Sequence, residues 1–281
     1  MQGILRDAAA LTTGTETKPP LEKSTSGLIS LRIFLTSEKP LRTLKGSEKF
    51  LGSKYLLNLP VAKKLCCNFP ETMKYVKEGN ALLTGTPIRD ELLKGNAEEG
   101  YKLCGFTHDK PVVMVIGGSQ GAAAINKTVR DSLNLMLKDF QVVHICGKEK
   151  VDNMLLNVEG YKQFEYLKGE LKHVFAMADL VISRAGANSI CELLALKKPN
   201  ILIPLPTSQS RGDQLLNAAS FESQGFSIVI NEDDLSEKYL MEKIHELYFS
   251  KQSYIDAMKN SGQQNATATI MKLINEVSEE K

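Results

Sequence analysis

Between residues 111 and 231 short apolar runs alternate with helical segments, and most of the runs stop at a glycine or proline. The runs are PVVMVIGG (111–118), QVVHICG (141–147), DLVISRAG (179–186), PNILIPLP (199–206) and FSIVIN (226–231). Continuous rather than alternating hydrophobicity marks strands buried on both faces, as in parallel sheets. The intervening segments AAAINKTVRDSLNLMLK (122–138), LKHVFAMA (171–178), ANSICELLALK (187–197), GDQLLNAASFESQG (212–225) and LSEKYLMEKIHELYFS (235–250) read as helices, with YKQFEYL (161–167) ahead of the second. A β-α-β-α rhythm of this kind predicts an α/β fold with a doubly wound parallel sheet.

Ahead of that rhythm the pattern is shorter. KLCCNF (64–69) and NALLTG (80–85) read as strands flanking a short helix, ETMKYVKEG (71–79). Thr86-Pro87 breaks the chain, because a residue before proline avoids the helical region. IRDELLKGNAEEGYKLCG then predicts one helix up to Gly105. Residues 1–50 are polar and turn-rich, with only LISLRIFL (28–35) resembling a strand, and are expected to be loosely ordered. From Tyr254 onward more helix is expected, with Ile270, Met271, Ile274 and Val277 at helical spacing and packed on the domain they follow.

A length of 281 residues allows one large or two ordinary domains, and 42% hydrophobic with 24% charged residues is a globular composition. A net charge of +2 gives no ground for a nucleic-acid partner. No apolar run approaches the ~20 residues of a membrane span, and the N-terminus lacks the basic start and apolar core of a signal peptide. The five cysteines contain no CxxC pair, which suits free thiols in a reducing cytoplasm. Adjacent Cys66 and Cys67 form either a redox pair or, by strand alternation, one buried and one outward thiol.

In open α/β sheets ligands sit at the carboxyl ends of the strands, where GGSQG (117–121) joins a strand to a helix. Glycines there permit close backbone approach, and free N–H groups with the helix dipole favour an anion. A phosphate or diphosphate is one reading; a tight strand-to-helix turn is the other. The motif is neither GxGxxG nor GxxxxGK[ST], which weakens NAD binding and ATP hydrolysis. A second turn, Arg184-Ala185-Gly186-Ala187, opens a helix in which Ser189 and Glu192 stand one turn apart. Glu192 either accepts ribose hydroxyls or closes a capping box with Ser189. A third places Asp213, Gln214 and Asn217 at a helix start, facing either the crevice or solvent. Three such turns after successive strands favour one shared crevice.

The segments NFPETMKY, TGTPIRDELL, GGSQGAAAIN, FEYLKGELKHVFAMADLVISRAGANSICELLALKKPNILIPLP and RGDQLLNAASFESQG resemble the MurG-type family, glycosyltransferase family 28, over roughly residues 51–275. Members transfer N-acetylglucosamine from its UDP sugar to the membrane-borne lipid I. The resemblance implies a GT-B architecture of two Rossmann-like domains. On this chain it implies an incomplete acceptor-side domain at 1–88, a donor-binding domain at 89–265 and a C-terminal helix at 266–281. It implies that Gly118, Ser119 and Gln120 meet the diphosphate and sugar, that Arg89 neutralises phosphate, and that Leu167 offers backbone to uracil. Asn188 and Ser189 would lie by the phosphates, Glu192 would hold the ribose, and Asp213 and Gln214 would face the sugar hydroxyls. Many members carry two glutamines where this chain reads Asp213-Gln214. The implied reaction is a metal-independent, inverting transfer that needs no cofactor. Its implied setting is cytoplasmic, at the inner face of the cell membrane, with the membrane surface as a partner.

The chain departs from the family at its start. The glycine-rich loop with a histidine that opens the acceptor domain has no counterpart, since residues 1–50 hold no histidine and no paired glycines. His108, His144, His173 and His245 all fall in the donor half and are expected to be structural or surface residues, so no catalytic base is identified. Three readings stay open: an active transferase, a donor-binding half completed by a separate acceptor subunit, and a truncated form without catalysis. A UDP-N-acetylglucosamine 2-epimerase is the alternative from another class.

Overall fold

The computed structural model describes residues 64–74, 79–117, 122–210, 212–262 and 266–279. The readings made on residues 1–50, LISLRIFL among them, lie outside this set. Two short parallel strands come first, β1 (Leu65–Cys67) and β2 (Ala81–Leu83), with the one-turn helix α1 (Pro70–Met73) between them. A 3-10 turn (Asp90–Lys94) and helix α2 (Ala97–Cys104) lead into strand β3 (Val112–Ile116). The chain then continues as α3 (Ala123–Asp131), α4 (Leu133–Asp139), β4 (Gln141–Ile145), β5 (Tyr161–Phe164), α5 (Leu171–Met177) and β6 (Leu180–Ser183). It closes with α6 (Ala187–Leu196), β7 (Asn200–Leu202), α7 (Asp213–Ser223), β8 (Ser227–Val229), α8 (Glu237–Lys259) and α9 (Ala266–Glu279).

Strands β3 to β8 form one six-stranded sheet, parallel throughout, in the order β5-β4-β3-β6-β7-β8. The order reverses between β3 and β6, the switch point at which doubly wound sheets open a crevice. Strand alternation builds two cores from the same apolar runs. Val112, Met114, Val143, Ile145, Val181 and Leu202 pack on one face with residues of α5, α6 and α7. Val113, Val115, Val142, Leu180, Ile182 and Ile201 pack on the other with α3, α4 and α8. This two-sided burial is what the continuous runs predicted.

Three helices depart from expectation for local reasons. The predicted helix over 88–105 is broken at Gly95, where Asn96 caps α2 by accepting from the Glu98 amide at 2.9 Å. Gly95 is extended there, with φ −72° and ψ 150°. Close packing excludes a side chain at it and at Gly100 within α2: a Cβ on Gly95 would stand 2.1 Å from the Lys172 carbonyl oxygen, and one on Gly100 would stand 2.5 Å from that of His173. The helix over 122–138 divides at Ser132, whose hydroxyl bonds back to the Thr128 carbonyl at 2.7 Å. Helix α9 buries Ala266, Ile270 and Leu273 with Cys66 of β1, so its apolar face meets the small sheet, while Ala266 and Thr267 also line a pocket with Cys191, Leu194 and Ala195 of α6. Cys66 and Cys67 are both fully buried, against the alternation expected. All five cysteines are buried.

The small sheet also touches the large unit directly. Phe69 packs edge-on against Phe221 of α7 with ring centroids 6.2 Å apart, and Ser220 Oγ donates to Glu71 Oε2 at 2.9 Å. Among the described residues no helix is long and apolar enough to cross a membrane.

Candidate functional site at the carboxyl edge of the sheet

The helices α3, α6 and α7 follow β3, β6 and β7, so all three begin at the carboxyl edge of the sheet, on either side of the switch point. Their N-cap residues are Ala122, Gly186 and Gly212, and none of these gives a side-chain cap. A helix start leaves its first N–H groups without intrahelical partners and carries a positive partial charge. Three such starts along one edge make a surface suited to an anion.

The second turn is held rigidly. Arg184, buried, donates Nη1 to the carbonyls of Ile203 and Pro204 at 3.1 and 3.3 Å, and its other terminal nitrogen is ion-paired with Glu232. Asn217 Nδ2 donates to the Ala185 carbonyl at 3.0 Å, fastening α7 to the loop that opens α6. The Asn217 Oδ1 is buried with no hydrogen-bond partner. The sequence placed Asn217 at this helix start; the clamp made by Arg184 gave no signal beyond a basic residue closing a buried run.

The residues predicted to act together are distributed as follows. Gly118, Ser119 and Gln120 lie outside the described residues, and Gly117 before them is buried. Arg89 and Glu192, 103 positions apart, meet: Arg89 Nε and Nη2 stand 3.1 and 3.0 Å from Glu192 Oε1. Burial pushes the Glu192 carboxyl up and the Arg89 charge pulls it back, leaving it raised. Ser189 and Glu192 do not form a capping box, because Gly186 is the N-cap and Glu192 turns to Arg89. Asn188 is exposed and Ser189 half-buried in the first turn of α6. Leu167 packs partly buried against the core beyond β5. Asp213 is the first residue of α7, and Gln214 Oε1 accepts from the Leu205 amide at 3.1 Å, which holds the loop after β7.

Of the histidines, His144 belongs to the buried framework, His173 and His245 are partly buried and His108 is exposed. His144 is fully buried between Tyr161 and Asn126, at 2.8 and 2.9 Å. His173 Nδ1 accepts from the Asn96 amide at 3.1 Å, His108 stands 3.4 Å from Glu98, and His245 stands 3.2 Å from Asp139. Two adjacent acidic residues, Asp233 and Asp234, lie in a 3-10 turn, Glu232–Asp234, ahead of α8.

The model of the glycosyltransferase family 28 C-terminal domain matches residues 112–274. The chain is 49% identical to the UDP-N-acetylglucosamine–N-acetylmuramyl-(pentapeptide) pyrophosphoryl-undecaprenol N-acetylglucosamine transferase of Lachnoclostridium phytofermentans, over 92% of this chain and 74% of that protein. It is 48% identical to the transferase of the same name from Clostridium novyi, over 92% of this chain and 73% of that one. Among solved structures, Acinetobacter baumannii MurG superposes with a TM-score of 0.57 at 21% identity, over 77% of this chain and 61% of that one. The UDP-GlcNAc 2-epimerase of Neisseria meningitidis superposes with a TM-score of 0.56 at 12% identity, over 84% and 68%. At these identities the two structures speak for the fold alone.

Proposed function

The chain belongs to glycosyltransferase family 28, and from that premise we propose that it transfers N-acetylglucosamine from UDP-N-acetylglucosamine to lipid I, forming lipid II in peptidoglycan synthesis. Its α/β fold is of the GT-B type, with the six-stranded parallel sheet as donor-binding domain. The observation that carries the site reading is the row of three uncapped helix starts at the switch point, with Arg89 and Glu192 meeting beside α6.

In this reading the diphosphate sits on the first turns of α3 and α6, held by Gly118, Ser119 and Gln120 on one side and Asn188 and Ser189 on the other. Glu192 takes the ribose hydroxyls, Leu167 lies at the uracil, and Asp213 with Gln214 faces the sugar. The acceptor hydroxyl attacks the anomeric carbon as the bond to UDP breaks, inverting that centre. Negative charge then grows on the leaving diphosphate, where Arg89 and the oriented amides stabilise it without rearranging. Residues 89–265 supply the donor site and residues 1–88 belong to the acceptor side, with the helix over 266–281 returning to it. In this reading the acceptor and the inner membrane surface approach from that side, and the protein works in the cytoplasm at the membrane.

Incubation of the purified chain with UDP-N-acetylglucosamine and lipid I tests this. Lipid II and UDP are the expected products. Product only after addition of an acceptor-side polypeptide makes the chain a donor-binding half. Conversion of the nucleotide sugar to its 2-epimer without acceptor makes it an epimerase and overturns the transferase assignment, as does UDP binding without any turnover.

A further inference from the structure

A chain of buried hydrogen bonds runs from β5 through β4 into the first turn of α3. Tyr161 OH lies 2.8 Å from His144 Nδ1, His144 Nε2 lies 2.9 Å from Asn126 Oδ1, and Asn126 Nδ2 donates to the Cys146 carbonyl at 2.9 Å. The Cys146 carbonyl can only accept, so the Asn126 nitrogen faces it and the amide oxygen, itself only an acceptor, faces His144. His144 therefore carries its proton on Nε2, and Nδ1 accepts from the tyrosine hydroxyl. His144 is fully buried, and Asn126 and Tyr161 are nearly so.

Asn126 is the residue whose backbone N–H closes the first turn of α3, onto Ala122 at 2.8 Å. That turn has no side-chain cap and directly follows the glycine segment. An uncapped first turn is the part of a helix most prone to fray. Apolar side chains already fill the seam between α3 and the sheet, with Ile125 and Val129 fully buried. A buried polar chain adds little stability over well-packed apolar residues once desolvation is counted. Its specific contribution is to fix the position of the helix start against β4.

We propose that His144 is a positioning residue for the donor: through Asn126 it fixes the α3 first turn whose amides receive the diphosphate. This rests on the donor-site reading above. Glutamine at 144 can still donate to Asn126, since its amide nitrogen reaches about as far as Nε2, whereas asparagine reaches only toward Tyr161. The test is titration of the full chain with UDP by calorimetry, with thermal melting alongside, for H144N, H144Q and N126A. H144N and N126A are expected to bind UDP roughly five- to tenfold more weakly, the worth of one hydrogen bond. H144Q is expected to stay near the unsubstituted chain in affinity while melting lower, as the other two do.

A purely structural role lowers the melting temperatures and leaves UDP affinity unmoved in all three, which overturns the proposal. So does an H144Q as weak as H144N. If H144N does not fold, N126A against H144Q decides, since alanine suits a helix. An unsubstituted chain that does not bind UDP overturns the donor-site reading and this proposal together; normal binding with unaffected variants overturns this proposal alone.

Discussion

Arg89 reaches across from the turn after β2 and places two nitrogens on a single oxygen of Glu192, at 3.1 and 3.0 Å. The Arg89 side chain is 57% exposed and that of Glu192 only 17%. An ion pair with one partner in solvent contributes no more than about 1 kcal/mol to stability. Its position is therefore more informative than its energy: it brings the segment after Pro87 against the helix that opens the second turn.

Glu192→Ala is expected to weaken UDP binding by roughly 1–3 kcal/mol, the loss of charge-assisted hydrogen bonds to the ribose. The melting temperature should fall little, because the ion pair is largely solvent-screened. Calorimetry with UDP on the variant checks this. An unchanged affinity removes Glu192 from the donor site.

Gly186→Val separates the anion-site reading from the tight-turn reading. Gly186 has an ordinary φ of −66°, and a Cβ there would meet nothing nearer than Ser189 Oγ at 3.9 Å. Neither backbone strain nor packing requires glycine at this position. The variant should fold with a melting temperature close to the parent's, while its isopropyl group obstructs approach to the α6 first turn and UDP affinity falls. A variant that unfolds instead makes the glycine a packing device.

Gly100→Ala should behave in the opposite way. In a helix, alanine gains about 0.5–1 kcal/mol over glycine. Here the added Cβ would lie 2.5 Å from the His173 carbonyl oxygen, a backbone atom that cannot swing aside. Overpacking of this kind costs about 1–3 kcal/mol, so the clash outweighs the propensity. Equilibrium denaturation should show net destabilisation; a more stable variant means α2 and α5 can move apart freely.

The fold was legible where the signal was local and repeated. Val112 to Ile116 announced a strand buried on both faces, and the alternation with helices placed its neighbours. What remained hidden depends on contacts distant in sequence. Nothing around Arg89 announces Glu192, and nothing in TVRDSLN marks the point at which Ser132 splits the helix. Spacing suggested a capping box at Ser189 and Glu192, but the helix begins at Gly186 and the carboxylate has a partner from another segment. The apolar stripe of α9 was visible, yet a stripe carries no address, and its buried side chains meet Cys66 of β1. His144 reads as one more residue of a buried run, and only pairing β4 with β5 brings Tyr161 beside it.

Acid should expose the cost of burying that histidine. Burial, together with the nearby Arg130 charge, lowers the His144 pKa from 6.5 to about 3. Between those values the unfolded chain binds a proton that the folded chain refuses, so stability rises with pH across the window and is lost as pH falls through it. Above about pH 6.5 both states are neutral at this group and its contribution is flat. Melting curves recorded from pH 7 downward should therefore fall more steeply for the unsubstituted chain than for H144Q, which has nothing to protonate there. Carboxylates titrate in both proteins and cancel in the difference. Parallel slopes would mean that His144 takes up its proton in the folded state, and the hydrogen-bonded chain to Asn126 would then have to rearrange on acidification.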